Sequence, residues 1–209
     1  MFTIVLGTNN RKKGLELAEL LTPFNVEVRT LADFDKKLDV VEDGQTFLDN
    51  ARKKAVEQAK FLNAWVIGED SGLCVDALGG APGVYSARFA SFSEEGNASD
   101  EDNNRLLLEK LDNVPLEKRT AHYVCTAVFA DPSGTVHAET EGHCRGRILS
   151  EPSGQGGFGY DPLFEVVEYH QTFGALSPMV KRTISHRARA MRKLIPTIIT
   201  IAAHLLTRS

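Results

Sequence analysis

The chain has 209 residues, enough for one large domain with a proper core, and its composition (42% hydrophobic, 25% charged) is that of a folded globular protein. A formal net charge of −4 excludes a broad nucleic-acid surface and makes any basic cluster a local one. The three cysteines, Cys74, Cys125 and Cys144, have neither zinc spacing nor an even number, so reduced thiols in a cytoplasmic protein are expected. Met1 to Leu6 lacks the basic start and apolar length of a signal peptide. The most apolar late stretch, Leu194 to Leu206, is too short to cross a bilayer and includes Pro196 and His204. No membrane association is expected.

Phe2 to Gly7 reads as a buried first strand. It runs into Thr8, Asn9, Asn10, Arg11, Lys12 and Lys13, and then Leu15, Leu17, Ala18, Leu20 and Leu21 give a helical apolar face with Asn10 as its N-cap. A strand, a polar turn and a helix start carrying basic residues suit an anion such as phosphate, because backbone N–H groups and the helix dipole point there. The Walker spacing is absent, and the same residues also suit an ordinary cap followed by solvated lysines. Val26 to Leu31 is the expected second strand. A loop through Glu42, Asp43 and Gly44 leads to a capping box, Thr46 with Asp49, and to a helix with Phe47, Ala51, Ala55 and Ala59 on one face. Glu42 is an acidic candidate close to that helix start.

Ala64 to Ile67 is an apolar run that meets two carboxylates, Glu69 and Asp70, with Ser71 and Gly72 expected to turn the backbone. In an open α/β sheet ligands bind past the carboxyl ends of strands. Adjacent strand residues point to opposite sides, so one carboxylate is expected to hold a hard cation while the other serves packing or a helix start. Leu73 to Leu78 is expected as a separate short element, followed by the Gly/Pro-punctuated loop Gly79 to Arg88. Ser91 to Ser99 is polar and expected to be mobile, and Ser99 or Asp100 caps a helix reaching Leu111. His122 to Ala130 is a strand. Asp131 to Gly134 is a turn, and Thr135 to Arg147 alternates as the second arm of a hairpin.

Gly154 to Pro162 places glycines around Phe158, where a ring could stack on a base or lie buried in a structural turn. Ser185 reads as an N-cap that puts His186 and Arg187 in the first turn of a helix running towards Leu194. Cations are poorly placed at a helix start unless an anion or electron-rich ligand sits nearby. Arg189, Arg192 and Lys193 continue a basic face, and Pro196 is expected to begin a new short segment.

A phosphate cradle, a carboxylate site, an aromatic-glycine slot and a Lys181 to Arg187 turn together describe a nucleotide with its divalent ion. The motifs Thr8–Lys13, Glu42–Ala51, Glu69–Leu73, Gly79–Arg88, Gly156–Pro162 and Ser185–Arg187 stand in the order of the inosine triphosphate pyrophosphatase family, which the chain resembles from residue 3 to about 195. That resemblance implies an α/β fold with an elongated mixed central sheet flanked by helices. It implies one domain over residues 1–209, with two lobes, the second including roughly 120–150, and an active-site cleft between them. It also implies a homodimer. The activity implied is magnesium-dependent hydrolysis of inosine, deoxyinosine and xanthosine triphosphates to monophosphate and pyrophosphate. By motif, Thr8, Asn9, Asn10, Arg11, Lys12 and Lys13 hold the triphosphate, and Asp70 is the catalytic carboxylate and a Mg²⁺ ligand. Ser71 lies beside the substrate, and Phe158, Gly159, Tyr160, Asp161, Lys181, His186 and Arg187 form the nucleoside pocket.

Some relatives carry tandem acidic residues ahead of the Gly44 loop, whereas here Val41 precedes Glu42, which leaves Glu42 and Glu69 as alternative further metal ligands. Donors from protonated His186 or from Arg187 would accept the 6-keto bases and oppose adenine's amine. Two other readings share these residues: a pyrophosphatase for other altered nucleotides, and a module that binds a nucleotide without cleaving it. The second predicts a degraded carboxylate site, yet Asp70, Glu69, Glu42 and Lys13 are all present.

Overall fold

The β-branched run of β1 (Phe2–Leu6) is buried on both faces, as befits an interior strand with neighbours on each side. The structure is a computed structural model that describes residues 1–91 and 98–206. Asn10 caps α1 (Arg11–Leu21) by accepting from the backbone N–H groups of Lys12 and Lys13. Leu17 and Leu21 are buried, but Leu15, expected on the same face, is 66% exposed, and Gly14 takes the inner position instead. Pro23 and a left-handed Asn25 end the helix region and feed β2 (Val26–Thr30), which pairs parallel with β1 in register Phe2↔Val26 to Leu6↔Thr30.

The capping box of Thr46 and Asp49 starts α2 (Phe47–Leu62), and Asn63 closes it in the left-handed region. Ala51, Ala55 and Ala59 are fully buried along its inner face. A side chain at Gly68 would place its Cβ 2.3 Å from the Ala51 carbonyl oxygen and 2.4 Å from the Ala55 nitrogen. The alanine stripe and Gly68 thus let helix backbone and strand backbone touch.

Gly68 belongs to β3 (Trp65–Val75), which corrects two expectations. The chain does not turn at Ser71-Gly72, and Leu73 onward is no separate element: one strand runs straight through both carboxylates. Its neighbours in the sheet are β1 and β4. Two flanking strands satisfy the backbone on either side, and that outweighs the local turn preference of Ser-Gly.

β3 leads to a short 3₁₀ turn at Asp76–Leu78 and, after a cis Ala81–Pro82 bond, a 3₁₀ segment at Gly83–Arg88. Of the Ser91 to Ser99 stretch, residues 92–97 lie outside those described. Ser99 caps α3 (Asp100–Lys110). β4 (Thr120–Ala130) and β5 (Val136–Ile148) form the expected hairpin around Asp131, whose carboxylate accepts from the backbone of Ser133 and Thr135 and bonds His137 at 2.8 Å. β6 (Phe164–Val166) and β7 (Gln171–Thr172) follow antiparallel. The seven-stranded sheet, in order β2-β1-β3-β4-β5-β6-β7, is parallel at one end and antiparallel at the other, so the mixed α/β class expected from the sequence is the one found.

α4 (Pro178–Ile184) precedes α5 (His186–Leu206). Pro196 does not begin a new segment. It lies exposed inside α5, while Ala190, Met191, Leu194, Ile198 and Ala202 are buried along the opposite stripe. Burial of that stripe offsets the lost backbone hydrogen bond, and the Thr200 hydroxyl donates to the Pro196 carbonyl at 2.9 Å. No helix among the described residues is long and apolar enough to cross a membrane. The three cysteines are thiols.

The chain divides into two compact units. The first comprises Met1–Asp70, Cys125–Gly142 and Arg189–Ser209; the second comprises Ser71–Val124 and His143–Ala188. In the first, α1 and α5 cover one side of β1 and β3 through Leu17, Leu21, Met191 and Ile198, and α2 covers the other through its alanines. The second has its own core of Leu73, Leu107, Leu111, Tyr123, Leu163, Phe164 and Phe173. The 120–150 stretch is shared, Cys125–Gly142 lying in the first unit and the remainder in the second.

Candidate active site

Strand alternation in β3 decides what its two carboxylates meet. Ile67 packs with the α1 and α5 cluster, and Val66 packs with α2, so Glu69 follows the first and Asp70 the second. Glu69, 6% exposed, takes the Lys13 ammonium at 2.7 Å. Asp70 accepts from Asn50 Nδ2 at 3.1 Å on Oδ2 and from Lys54 Nζ at 3.1 Å on Oδ1. Lys54 also meets Glu42 Oε2 at 3.0 Å. Two carboxylates from separate segments, Glu42 and Asp70, therefore converge on one positive charge, while Glu69 serves a different one. Among the described residues no three acidic, histidine or cysteine side chains cluster as a ready-made metal cage.

Burial, the largest influence on Asp70, pushes its pKa up from 3.8. The Lys54 charge and the Asn50 hydrogen bond pull it down, Glu42 pushes it up again, and the net direction is upward. Asn50 is 1% exposed and both ends of its amide are used: Nδ2 holds Asp70, and Oδ1 accepts from the Gly44 backbone at 2.8 Å. It thereby joins the loop carrying Glu42 to the strand carrying Asp70. Neither Asn50 nor Lys54 was singled out in the sequence. The available signal was their spacing, four apart on a capped helix, which puts both on one face beside the alanine stripe.

The turn before α1 is built as expected. Thr8 Oγ1 accepts from the Asn10 backbone at 3.2 Å, and its carbonyl accepts from Leu31 N–H at 2.9 Å. Asn9 Oδ1 accepts from Lys37 Nζ at 2.7 Å. Arg11 reaches Asp33 at 2.7 Å and the Ala32 carbonyl at 3.0 Å, which ties the helix start to the 3₁₀ turn at Leu31–Asp33 that follows β2. Lys12 remains exposed. The segment presents a capped, positively charged helix start.

In the second unit, Phe158 is 70% exposed rather than buried in a turn. Tyr160 is 3% exposed and its hydroxyl donates to the Ser86 carbonyl at 2.8 Å, tying this loop to the Gly83–Arg88 segment. Asp161, 8% exposed, pairs with Lys181 Nζ at 3.0 Å. Burial raises the Asp161 pKa and the Lys181 charge opposes it, the net direction being upward. Gly157 has φ +94°, and a Cβ there would lie 2.0 Å from Asp161 Oδ2 and 2.7 Å from Lys181 Nζ, so only glycine fits beside that pair. His186 lies flat against Tyr123, ring centroids 4.8 Å apart at 13°, and Tyr123 stacks in turn on Phe173 at 5.7 Å. Arg187 follows in the first turn of α5, whose Ala188 N–H donates to Ser185 Oγ at 3.2 Å.

No local residue pattern signals that α3 clamps this loop. Gly159 N–H donates to Asp100 Oδ2 at 2.6 Å and its carbonyl accepts from Asn104 Nδ2 at 3.0 Å. The two side chains are one turn apart on α3. Ser71 directly follows Asp70 within β3.

Residues 4–197 match the model of the Ham1 family. The chain is 51% identical to the dITP/XTP pyrophosphatase of Rhodopirellula baltica over 201 residues, which is 96% of this chain and 95% of that protein. It is 48% identical to the dITP/XTP pyrophosphatase of Desulforamulus reducens, covering 96% and 98% of the two chains. Its fold superposes on the structure of a HAM1 protein from Coxiella burnetii with a TM-score of 0.85 at 34% identity, covering the whole of both chains.

Proposed function

This chain belongs to the Ham1 family, and from that membership we propose that it hydrolyses altered purine nucleoside triphosphates (ITP, dITP and XTP) to the nucleoside monophosphate and pyrophosphate. The observation that carries the reading is the convergence of Glu42 and Asp70 on a single cation position, within a chain similar end to end to dITP/XTP pyrophosphatases. The activity would clear such nucleotides from the pool used for nucleic-acid synthesis.

The residues fit a magnesium ion. Mg²⁺ is commonly held by one or two carboxylates, with waters and substrate phosphate oxygens completing the octahedron. Asp70 and Glu42 would supply those carboxylates, and Glu69 would instead steady Lys13. When bound, the ion supplies charge neutralisation on the phosphate oxygens and acidifies a water. Asp70 orients the attacking water towards the α-phosphorus and accepts its proton. The new oxygen–phosphorus bond forms as the bond to the bridging oxygen breaks, and pyrophosphate departs. Lys13, Lys12, Arg11 and the capped turn of Thr8, Asn9 and Asn10 hold the triphosphate, with Ser71 beside it.

For the base, Phe158 offers an exposed ring for stacking, and Gly159, Tyr160 and Asp161 give the loop its shape. Asp161 also holds Lys181 at the pocket. His186, braced against Tyr123, and Arg187 donate to the 6-keto oxygen of hypoxanthine or xanthine, a position where adenine presents a donor of its own. A cytoplasmic location accords with the three thiols. Assembly as a homodimer rests on the family resemblance, and light scattering tests it.

Turnover with Mg²⁺ across ITP, dITP, XTP, GTP, ATP and dUTP tests the function. Pyrophosphate release from the first three, with the others nearly untouched, is expected. Equal turnover of ATP or dUTP would remove the base assignment, and tight ITP binding without turnover would replace the enzyme by a binding module.

A further inference from the structure

Lys54 is the unusual member of this site. It neighbours Lys53, yet the two behave differently: Lys53 pairs with Asp43 at the surface, both side chains at least a third exposed, whereas the Lys54 side chain is only 13% exposed. Its ammonium lies 3.0 Å from Glu42 Oε2 and 3.1 Å from Asp70 Oδ1. Asn50, one turn earlier on α2, holds the other oxygen of Asp70. Burying a long cationic side chain costs desolvation and rotamer freedom, and a small neutral residue would fill this part of α2 at lower cost. What Lys54 adds is a positive charge where the two carboxylates meet.

We propose that Lys54 is a built-in counter-cation that competes with the divalent ion for Glu42 and Asp70 and couples metal binding to nucleotide binding. The inference rests on the metal-dependent pyrophosphatase reading and deepens it. A divalent cation on Glu42 and Asp70 neutralises the charge that holds Lys54 and repels its ammonium, so metal entry weakens the hold of both carboxylates on Lys54 and frees it. The displaced ammonium then lacks an anion, and a phosphate group supplies one. Metal and nucleotide therefore favour each other's binding, and by linkage the coupling is reciprocal. In the absence of nucleotide the site holds metal weakly. Lys54 is thus a positioning residue that sets when the ion is taken up.

The test is Mn²⁺ binding to the purified full chain without nucleotide, read from the paramagnetic resonance signal of unbound Mn²⁺. Lys54→Met is expected to bind Mn²⁺ at least about tenfold more tightly than the wild type, because a neighbouring positive charge is removed from two carboxylates. Lys54→Arg keeps the charge and is expected to bind as weakly as the wild type. Adding Asp70→Asn to Lys54→Met is expected to abolish the gain. In turnover, Lys54→Met is expected to lower kcat while also lowering the Mg²⁺ concentration for half-activity, opposite to what a damaged site would do. Should Lys54→Met not fold by circular dichroism, Lys54→Gln carries the same measurement. Unchanged or weaker Mn²⁺ binding in the neutral variants overturns the proposal while leaving the pyrophosphatase reading standing. Mn²⁺ binding indifferent to Asp70 in every variant overturns the metal assignment and this inference with it.

Discussion

Replacing Asp70 by Asn is expected to lower kcat on ITP on the order of 10³-fold, since in the proposed mechanism one side chain both holds the ion and accepts the proton of the attacking water. The fold should survive. Asn matches Asp in size, and α2 still packs against Gly68 of β3. The sign of the stability effect follows from the pKa. Burial is the largest influence on Asp70 and its net shift is upward from 3.8. A carboxyl raised in the folded state contributes stability that is complete below the unfolded value and lost as pH rises through the folded one. At neutral pH ionised Asp70 is a cost to the metal-free protein, and Asn removes it. The metal-free variant is therefore expected to melt at or above the wild-type Tm at pH 7. A Tm several degrees lower, or retention of most of the turnover, would contradict the assignment.

Gly68→Ala is expected to be the most damaging small substitution. Its Cβ would sit 2.3 Å from the Ala51 carbonyl, 2.4 Å from the Ala55 nitrogen and 2.9 Å from the Ala55 Cα. All three are helix backbone, so α2 must move away from β3 as a body. Overpacking of this kind costs about 3 kcal/mol or more, which for a chain of this size lowers Tm by roughly 6–12 °C. The same movement pulls Asn50 and Lys54 away from Asp70, so activity falls well before the protein unfolds. Thermal unfolding and ITP turnover of the one variant check both effects. A Tm within about 2 °C of wild type would show that the helix and strand do not touch as described.

These two positions also show how far the sequence could be read. The strand around Gly68, the carboxylates after it and the capping box before α2 were all legible, because each is written in local residue types. The continuation of β3 through Ser71-Gly72 was not. It depends on two neighbouring strands, and no local window contains them. Pro196 misled for a related reason: its preference for a helix start is local, whereas the buried stripe from Ala190 to Ala202 that keeps α5 continuous is a tertiary property. Leu15 shows the same limit in small form, since only the packing of α1 assigns the inner place to Gly14.

At the site, acidic and basic residues in motifs were visible, and their partners were not. Asn50 looks like any helical Asn until its amide is found bridging Gly44 and Asp70. Lys54 looks like a solvated lysine until Glu42 arrives from a loop twelve positions earlier. Glu69 and Glu42 were equal candidates beside Asp70; what the sequence could not show is that Glu42 shares Lys54 with Asp70 whereas Glu69 pairs with Lys13. In the second unit, nothing local says that Asp100 and Asn104 hold Gly159, or that Tyr123 lies flat on His186.

In the proposed mechanism water attacks the α-phosphorus, and hydrolysis of ITP in oxygen-18-labelled water with Mg²⁺ tests this most directly. Mass spectrometry is expected to find one labelled oxygen in inosine monophosphate and none in the released pyrophosphate. Label in the pyrophosphate, or release of inorganic phosphate in its place, would put the attack on another phosphorus and contradict the roles given to Asp70 and Lys13.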